Sequence, residues 1–143
     1  MSSHQIHIFI SHAWAHSSHY NTLSDWIFNE EWKIGETPIE FHNYSVPKDN
    51  PIHNANNDKQ LREALYNQIS RSHVIVIPTG MYASYSKWIQ KEIDGAKLYN
   101  KPILAVNPMG QQRKAGVVTD NSHSSVGWNK KPVINEIWKL FNN

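Results

Sequence analysis

"HVIVIP" (His73–Pro78) is the stretch on which the fold turns. Val74–Ile77 runs apolar and β-branched without a polar break. A strand with one wet face alternates apolar and polar residues, whereas a strand covered on both faces does not. Cover on both faces is the mark of parallel sheets built from βαβ units. The stretch therefore predicts a central parallel strand with a helix before it and another after it.

Both helices are visible in the spacing. Upstream, Leu61, Leu65 and Ile69, with Ala64, fall on one side of a helix that Asn57 or Asp58 can cap. Downstream, "SKWIQKEIDG" (Ser86–Gly95) and the Ala96 that follows it place Ile89, Ile93 and Ala96 on one face. Ser84 or Ser86 can cap that helix, and Pro102 disfavours its continuation at Lys101. "ILAV" (Ile103–Val106) reads as the next strand. Nearer the N-terminus, "IHIFI" (Ile6–Ile10) reads as the first strand. A helix capped by Ser17 or Ser18 follows, from about His19 to Lys33, with Tyr20, Leu23 and Ile27 on one face. Gly35 and Pro38 end it, and a second strand lies near Ile39–His42. "VPKDNPIHNANND" has two prolines and no periodicity, the pattern of a long functional loop. A fifth strand falls at Val117–Val118 or Ser125–Gly127, before a closing amphipathic helix "KPVINEIWKLF". That helix turns Val133, Ile137 and Leu140 or Phe141 inward.

The expected fold is one three-layer α/β domain over residues 1–143, of the flavodoxin-like kind. It has a parallel sheet of about five strands, ordered 2-1-3-4-5, with helices on both faces. Ligands of such sheets sit outside the carboxyl ends of the strands, where the order reverses. That rule selects "SHAW" (Ser11–Trp14) after the first strand and "TGMYASYSKW" (Thr79–Trp88) after the third.

Composition narrows the function. Of 143 residues, 39% are hydrophobic and 18% charged, which excludes a disordered chain. No apolar run is long enough to span a bilayer, and "MSSHQIHIFI" lacks the pattern of a secretory signal. A cytoplasmic protein with no membrane partner is expected. Net charge is +2 with scattered basic residues, the densest being Arg113–Lys114 and Lys130–Lys131. That falls short of a nucleic-acid-binding stripe. Cysteine is absent, which excludes disulfides and thiolate chemistry.

Trp88 ends the second selected segment, and Glu92 follows it by four residues, so the two stack on one helical stripe. Both are expected in the first two turns, with the helix start aimed at the crevice. An acid there is stabilised as a carboxylate by helix amides if solvated; if the indole dries it, its pKa rises. Ser11, His12 and Trp14 end the first strand, and Asn43, Ser45 and Lys48 reach the same edge after the second.

Four pieces in this order resemble a TIR domain: "FIS" (Phe9–Ser11), a helix ending "I..S" (Ile69–Ser72), "VIVI", and the run containing Tyr82, Ser84, Trp88 and Glu92; "NYS" (Asn43–Ser45) and "VGWN" (Val126–Asn129) resemble pieces of one bacterial subfamily. The likeness spans nearly the whole chain and is strongest to the bacterial TIR-like subfamily of Thoeris antiphage systems. The resemblance implies an enzyme that splits nicotinamide from NAD and makes a cyclic ADP-ribose-type signal. Glu92 is its catalytic acid. The substrate contacts it implies are Phe9, Ser11, His12, Ala13, Trp14, Asn43, Ser45, Lys48, Tyr82, Ser84 and Trp88. NAD enters as substrate, with no separate cofactor and no metal. The resemblance also implies self-association and a separate effector protein activated by the product. One residue and one loop depart from the animal receptor pattern. Ile89 stands where cysteine is frequent, and "VPKDNP" replaces the basic-acidic loop signature. That weighs against receptor-style signalling through the loop.

The alternative is a non-catalytic TIR-like interaction module on the same fold. A phosphate-accepting receiver needs acids after the first strand, and Ser11, His12 and Ala13 stand there instead. No Gly-x-Gly-x-x-Gly follows that strand, which excludes a hydride-transfer fingerprint. His12, His16 and His19 have ligand-like spacing but no cysteine or carboxylate completes a set, so they read as surface or hydrogen-bonding groups, His12 excepted. Trp26, Trp32 and Trp138 read as helical packing residues, and Trp128 is open between packing and ligand contact.

Overall fold

The structure is a computed structural model and describes residues 4–11, 18–45, 58–79, 82–107 and 116–142. Along them run β1 (His4–Ile10), α1 (Ser18–Phe28), β2 (Trp32–Ile34), β3 (Thr37–Asn43), α2 (Asp58–Ser70) and β4 (Val74–Pro78). Then come α3 (Tyr82–Leu98), β5 (Ile103–Val106), α4 (Gly116–Asn121), β6 (Ser124–Val126) and α5 (Lys130–Phe141). The sheet order is β2-β3-β1-β4-β5-β6. Every neighbouring pair is parallel except β2–β3. The five parallel strands thus keep the expected reversal next to β1, and one strand is added at the edge.

The added strand corrects the reading of the first helix. α1 stops at Phe28 rather than continuing to Lys33. Asn29 closes it: the Asn29 side-chain amide donates to Asp25 Oδ1 at 2.7 Å and its N–H to the Asp25 carbonyl at 3.3 Å. Trp32, placed in that helix by its spacing, belongs instead to β2 and pairs with Ile39. Its indole N–H donates to the carbonyl of Trp26 at 3.0 Å. Ile34 pairs with Thr37, so Gly35 and Glu36 form a two-residue hairpin turn. Gly35 has φ of 62°, a left-handed conformation that glycine adopts freely. Glycine in the first turn position is the pattern of type II′ hairpins.

β4 and β5 are buried along their whole length, as their unbroken apolar sequences require. In β1, Ile6, Ile8, Phe9 and Ile10 are fully buried while His4 and Gln5 are exposed. Each such branched or aromatic side chain contributes about 1.5–3 kcal/mol on burial. α1 packs with α5, and α2 with α3. Right-handed crossovers put α1 on one face of the sheet and α2, α3 and α4 on the other, and α5 packs on the α1 side. α5 turns Val133, Ile134, Ile137 and Leu140 into the core.

Two further boundaries differ from the spacing argument. Val118 is buried on the helix α4, and β6 occupies the later of the two expected fifth-strand positions. α3 begins at Tyr82, so Ser84 and Ser86 lie inside it rather than capping it. α3 can lie close to α2 because Gly95 has no side chain. A Cβ there would stand 2.8 Å from the Tyr66 ring and 3.0 Å from Ile69. This close approach sets the position of the helix that carries Glu92. Among the described residues, no helix is long and apolar enough to cross a membrane.

Candidate functional site

The carboxyl end of β1 is where the order of the sheet reverses, with β3 on one side and β4 on the other. Ser11 is the first residue beyond the strand. Its N–H donates to the carbonyl of Val76 in β4 at 2.9 Å, which fixes its backbone. Its hydroxyl donates to Glu92 Oε1 at 2.5 Å, a separation in the range of hydroxyl–carboxylate hydrogen bonds. Ser11 and Glu92 are both 0% exposed. Ser11 is thus one partner that orients a fully buried carboxyl group.

Glu92 differs from expectation in two ways. Because α3 starts at Tyr82, Glu92 lies ten residues beyond the helix start, in its third turn. The field of the helix end fades within the first turn, so it contributes little at Glu92. Nor does Glu92 sit on the rim of an open cleft. It shares the covered side of α3 with Ile89, Ile93 and Ala96. A buried acid of this kind depends on hydrogen-bond partners for its polar atoms.

Serine and asparagine of the "NYS" stretch form the adjoining layer. Ser45 is buried, and its Oγ accepts the N–H of Ile10 at 2.8 Å. The N–H of Ser45 donates to Asn43 Oδ1 at 2.9 Å. The amide of Asn43 in turn donates to the hydroxyl of Tyr20 on α1 at 3.2 Å. Tyr44 N–H donates to the Ile8 carbonyl at 2.8 Å. These bonds tie the ends of β1 and β3 together directly beside Ser11.

The structure brings Ser11, Ser45 and Glu92 into one neighbourhood, with Asn43 at its flank. Phe9 is fully buried in the core just before Ser11. Tyr82, Ser84 and Trp88 belong to α3, but their side chains lie outside the described residues. His12, Ala13, Trp14 and Lys48 also lie outside them. Trp128 packs against Trp26, with ring centroids 5.4 Å apart.

Two polar residues at the same edge are absent from the expected contacts, although Thr79 opens the segment selected after the central strand. Thr79, buried, follows β4; its hydroxyl donates to Asn107 Oδ1 at 3.0 Å. Asn107 follows β5, and its N–H donates to the Val126 carbonyl at 2.8 Å. The signal that could have found Asn107 is the one that selected the Thr79 segment: it is the first residue after a strand at the ligand-binding edge.

A cleft of about 520 Å³ lies elsewhere, along β2 and β3, with Phe28, Trp32, Phe41, Glu30 and Glu31 among its walls. None of Ser11, Ser45, Thr79 or Glu92 lines it, so this cleft and the buried chemistry lie in different places. The hydrogen-bonded carboxyl group carries more weight, because it stands at the topological break. The segments 12–17, 46–57, 80–81 and 108–115, which follow in sequence from this edge, lie outside the described residues. Among the described residues, no group of three or more histidine or acidic side chains is arranged to hold a metal.

Residues 9–113 match a family model described as the Thoeris protein ThsB, TIR-like domain. The matched span takes in Phe9 and Ile10 at the end of β1, Ser11, the "NYS" stretch, β4 and the whole of α3 with Glu92. No curated protein matches the chain.

Proposed function

The chain belongs to the TIR-like domain family of the Thoeris protein ThsB, and from that premise we propose that it cleaves NAD in bacterial antiphage defence. The bond broken joins nicotinamide to the ribose C1′. Glu92 is the catalytic carboxylate, and the products are nicotinamide and a cyclic ADP-ribose-type signal read by a separate effector protein. The observation that carries this reading is the Ser11–Glu92 pair, buried where the strand order reverses.

One carboxylate is enough for the chemistry. Nicotinamide is cationic in NAD, so it departs with the bonding electron pair as a neutral base and needs no proton. The ribose passes through an oxocarbenium-like state, as in glycoside hydrolysis. A carboxylate beside C1′ stabilises that positive charge, and more strongly where water is excluded. Ser11 acts through Glu92 by holding one oxygen, which makes it a positioning residue. Capture of C1′ by water gives the linear product with release of a proton. Capture by an adenine nitrogen of the same molecule gives the ring.

Complete burial of Glu92 also has a consequence for access. NAD reaches the carboxylate only after the groups that cover it are displaced. The covered state is then a resting state, which supports a need for an activating trigger or self-association before turnover. The second reading, a non-catalytic interaction module, draws on the same fact, since a buried acid satisfied by a serine can serve packing alone.

Nicotinamide release separates the two. Concentrated protein is incubated with NAD, with and without lysate from phage-infected cells, and the mixture is resolved by chromatography. Nicotinamide together with a cyclised product is expected once activated. An intact NAD pool in both arms, at protein concentrations that allow self-association, supports the interaction module.

A further inference from the structure

Two histidines share one arrangement at the opposite edge of the sheet. His73 stands one residue before β4. Its backbone N–H donates to the carbonyl of His7 in β1 at 2.7 Å, and its ring Nδ1 accepts the N–H of that same residue at 2.9 Å. His123 stands one residue before β6. Its N–H donates to the carbonyl of Ile103 at 2.8 Å, and its Nδ1 accepts the N–H of Ile103 at 3.1 Å. In both cases one histidine satisfies both backbone groups of a residue on the neighbouring strand, where the parallel ladder begins.

An imidazole nitrogen accepts a hydrogen bond only while it carries no proton. The His7 amide therefore fixes His73 as the neutral ring with its proton on Nε2. His7 is the reverse case: its Nδ1 lies 3.0 Å from the Arg71 carbonyl, which can only accept, so the His7 proton sits on Nδ1. The His7 ring stacks on His73 with centroids 4.6 Å apart and on Tyr44 at 4.1 Å, and His42 stands edge-on to it at 5.8 Å. Phe141 of α5 covers His73 from another side, at 5.1 Å.

We propose that His73 is a proton-operated clamp on the seam between β1 and β4. A proton taken from solution onto Nδ1 turns an acceptor into a donor, which then faces the His7 N–H. The bond is lost and the amino end of the seam loosens. The seam is short, with the pairs Ile8–Val74, Phe9–Ile75 and Ile10–Val76, followed by the Ser11 N–H on Val76. The clamp closes one end of it and Ser11 closes the other. This inference does not depend on the activity proposed above.

The surroundings set the direction. Burial first, and then the like charges of His7 and Lys101, hold the His73 pKa below its ordinary 6.5. In the window between the lowered folded value and 6.5, the unfolded chain binds more protons than the folded one. Stability from this group is complete above pH 6.5 and is lost as pH falls from there toward the folded value. His123 repeats the geometry with an exposed ring. The nearby Glu136 is engaged by Ser124 at 2.6 Å and Lys139 at 3.3 Å. It supplies an internal comparison for the bonding alone.

The test is urea unfolding of the wild-type protein and of His73→Asn from pH 8 to pH 5, alongside an NMR titration of wild-type histidine nitrogens and backbone amides. The Asn carbonyl oxygen stands near the place of Nδ1 and stays an acceptor at every pH used. The expected result is a wild-type midpoint that falls below pH 6.5, with a markedly smaller fall in the variant. In the wild type, His73 Nδ1 is unprotonated at neutral pH, and the His7 amide shift moves as His73 titrates. A His73 that titrates at or above 6.5, or a His7 amide that ignores it, overturns the proposal. The NMR arm decides even if the variant fails to fold. Equal pH slopes in a folded variant overturn it as well.

Discussion

β1 is held at both ends by the same device built from different atoms. Near its carboxyl end the N–H of Ile10 is accepted by the Ser45 hydroxyl at 2.8 Å. Near its amino end the N–H of His7 is accepted by the His73 imidazole at 2.9 Å. Both bonds keep a strand amide satisfied where regular pairing runs out. A hydroxyl stays an acceptor across the whole working range of pH, whereas an imidazole stops being one on protonation. The end beside Glu92 is therefore fixed, and the far end responds to acid. The proposed chemistry has the pH-independent anchor.

The largest expected effect in this comparison comes from Glu92→Gln. It lowers nicotinamide release by about two to three orders of magnitude, the usual cost of removing an electrostatic stabiliser of a transition state. Steady-state rates, with circular dichroism to verify folding, check it. Next is Ser45→Ala, which leaves the buried Ile10 N–H without its partner. It costs about 1–3 kcal/mol of stability at any pH, read from urea unfolding. His73→Ala sharpens the contrast. At pH 8 its cost is of the same order, about 1–3 kcal/mol, but it shrinks toward pH 5 because the protonated wild type has already lost that bond. Equal losses at both pH values break the comparison. The smallest effect belongs to Lys130→Ala. Its 2.7 Å pair with Glu30 is more than one-third exposed on both sides, at 38% and 45%. Its removal changes stability by at most about 1 kcal/mol, and salt abolishes even that.

Much of this architecture was readable from periodicity. The unbroken apolar runs of β4 and β5 placed the centre of the sheet, and the reversal rule then placed Ser11 and α3 together. β2 was not readable. Trp32 and Ile34 continue the sequence after a strong helical stripe, and the helix stop rests on the hydrogen bonds of Asn29 to Asp25. Gly35, read as a helix end, serves a hairpin instead. The full cover of Glu92 was also hidden, since helical spacing gives a stripe but not what packs over it. Neither histidine clamp shows in the sequence, because each joins residues 66 or 20 positions apart through a side-chain-to-backbone bond.

The central claim is that the buried carboxyl group beside Ser11 does the chemistry. Its most direct test is the release of nicotinamide from NAD by activated wild-type protein and by Glu92→Gln, with thermal unfolding of both followed in the same buffer. The account predicts release by the wild type and near-complete loss in a variant that still unfolds cooperatively. A folded variant that releases nicotinamide at the wild-type rate contradicts it.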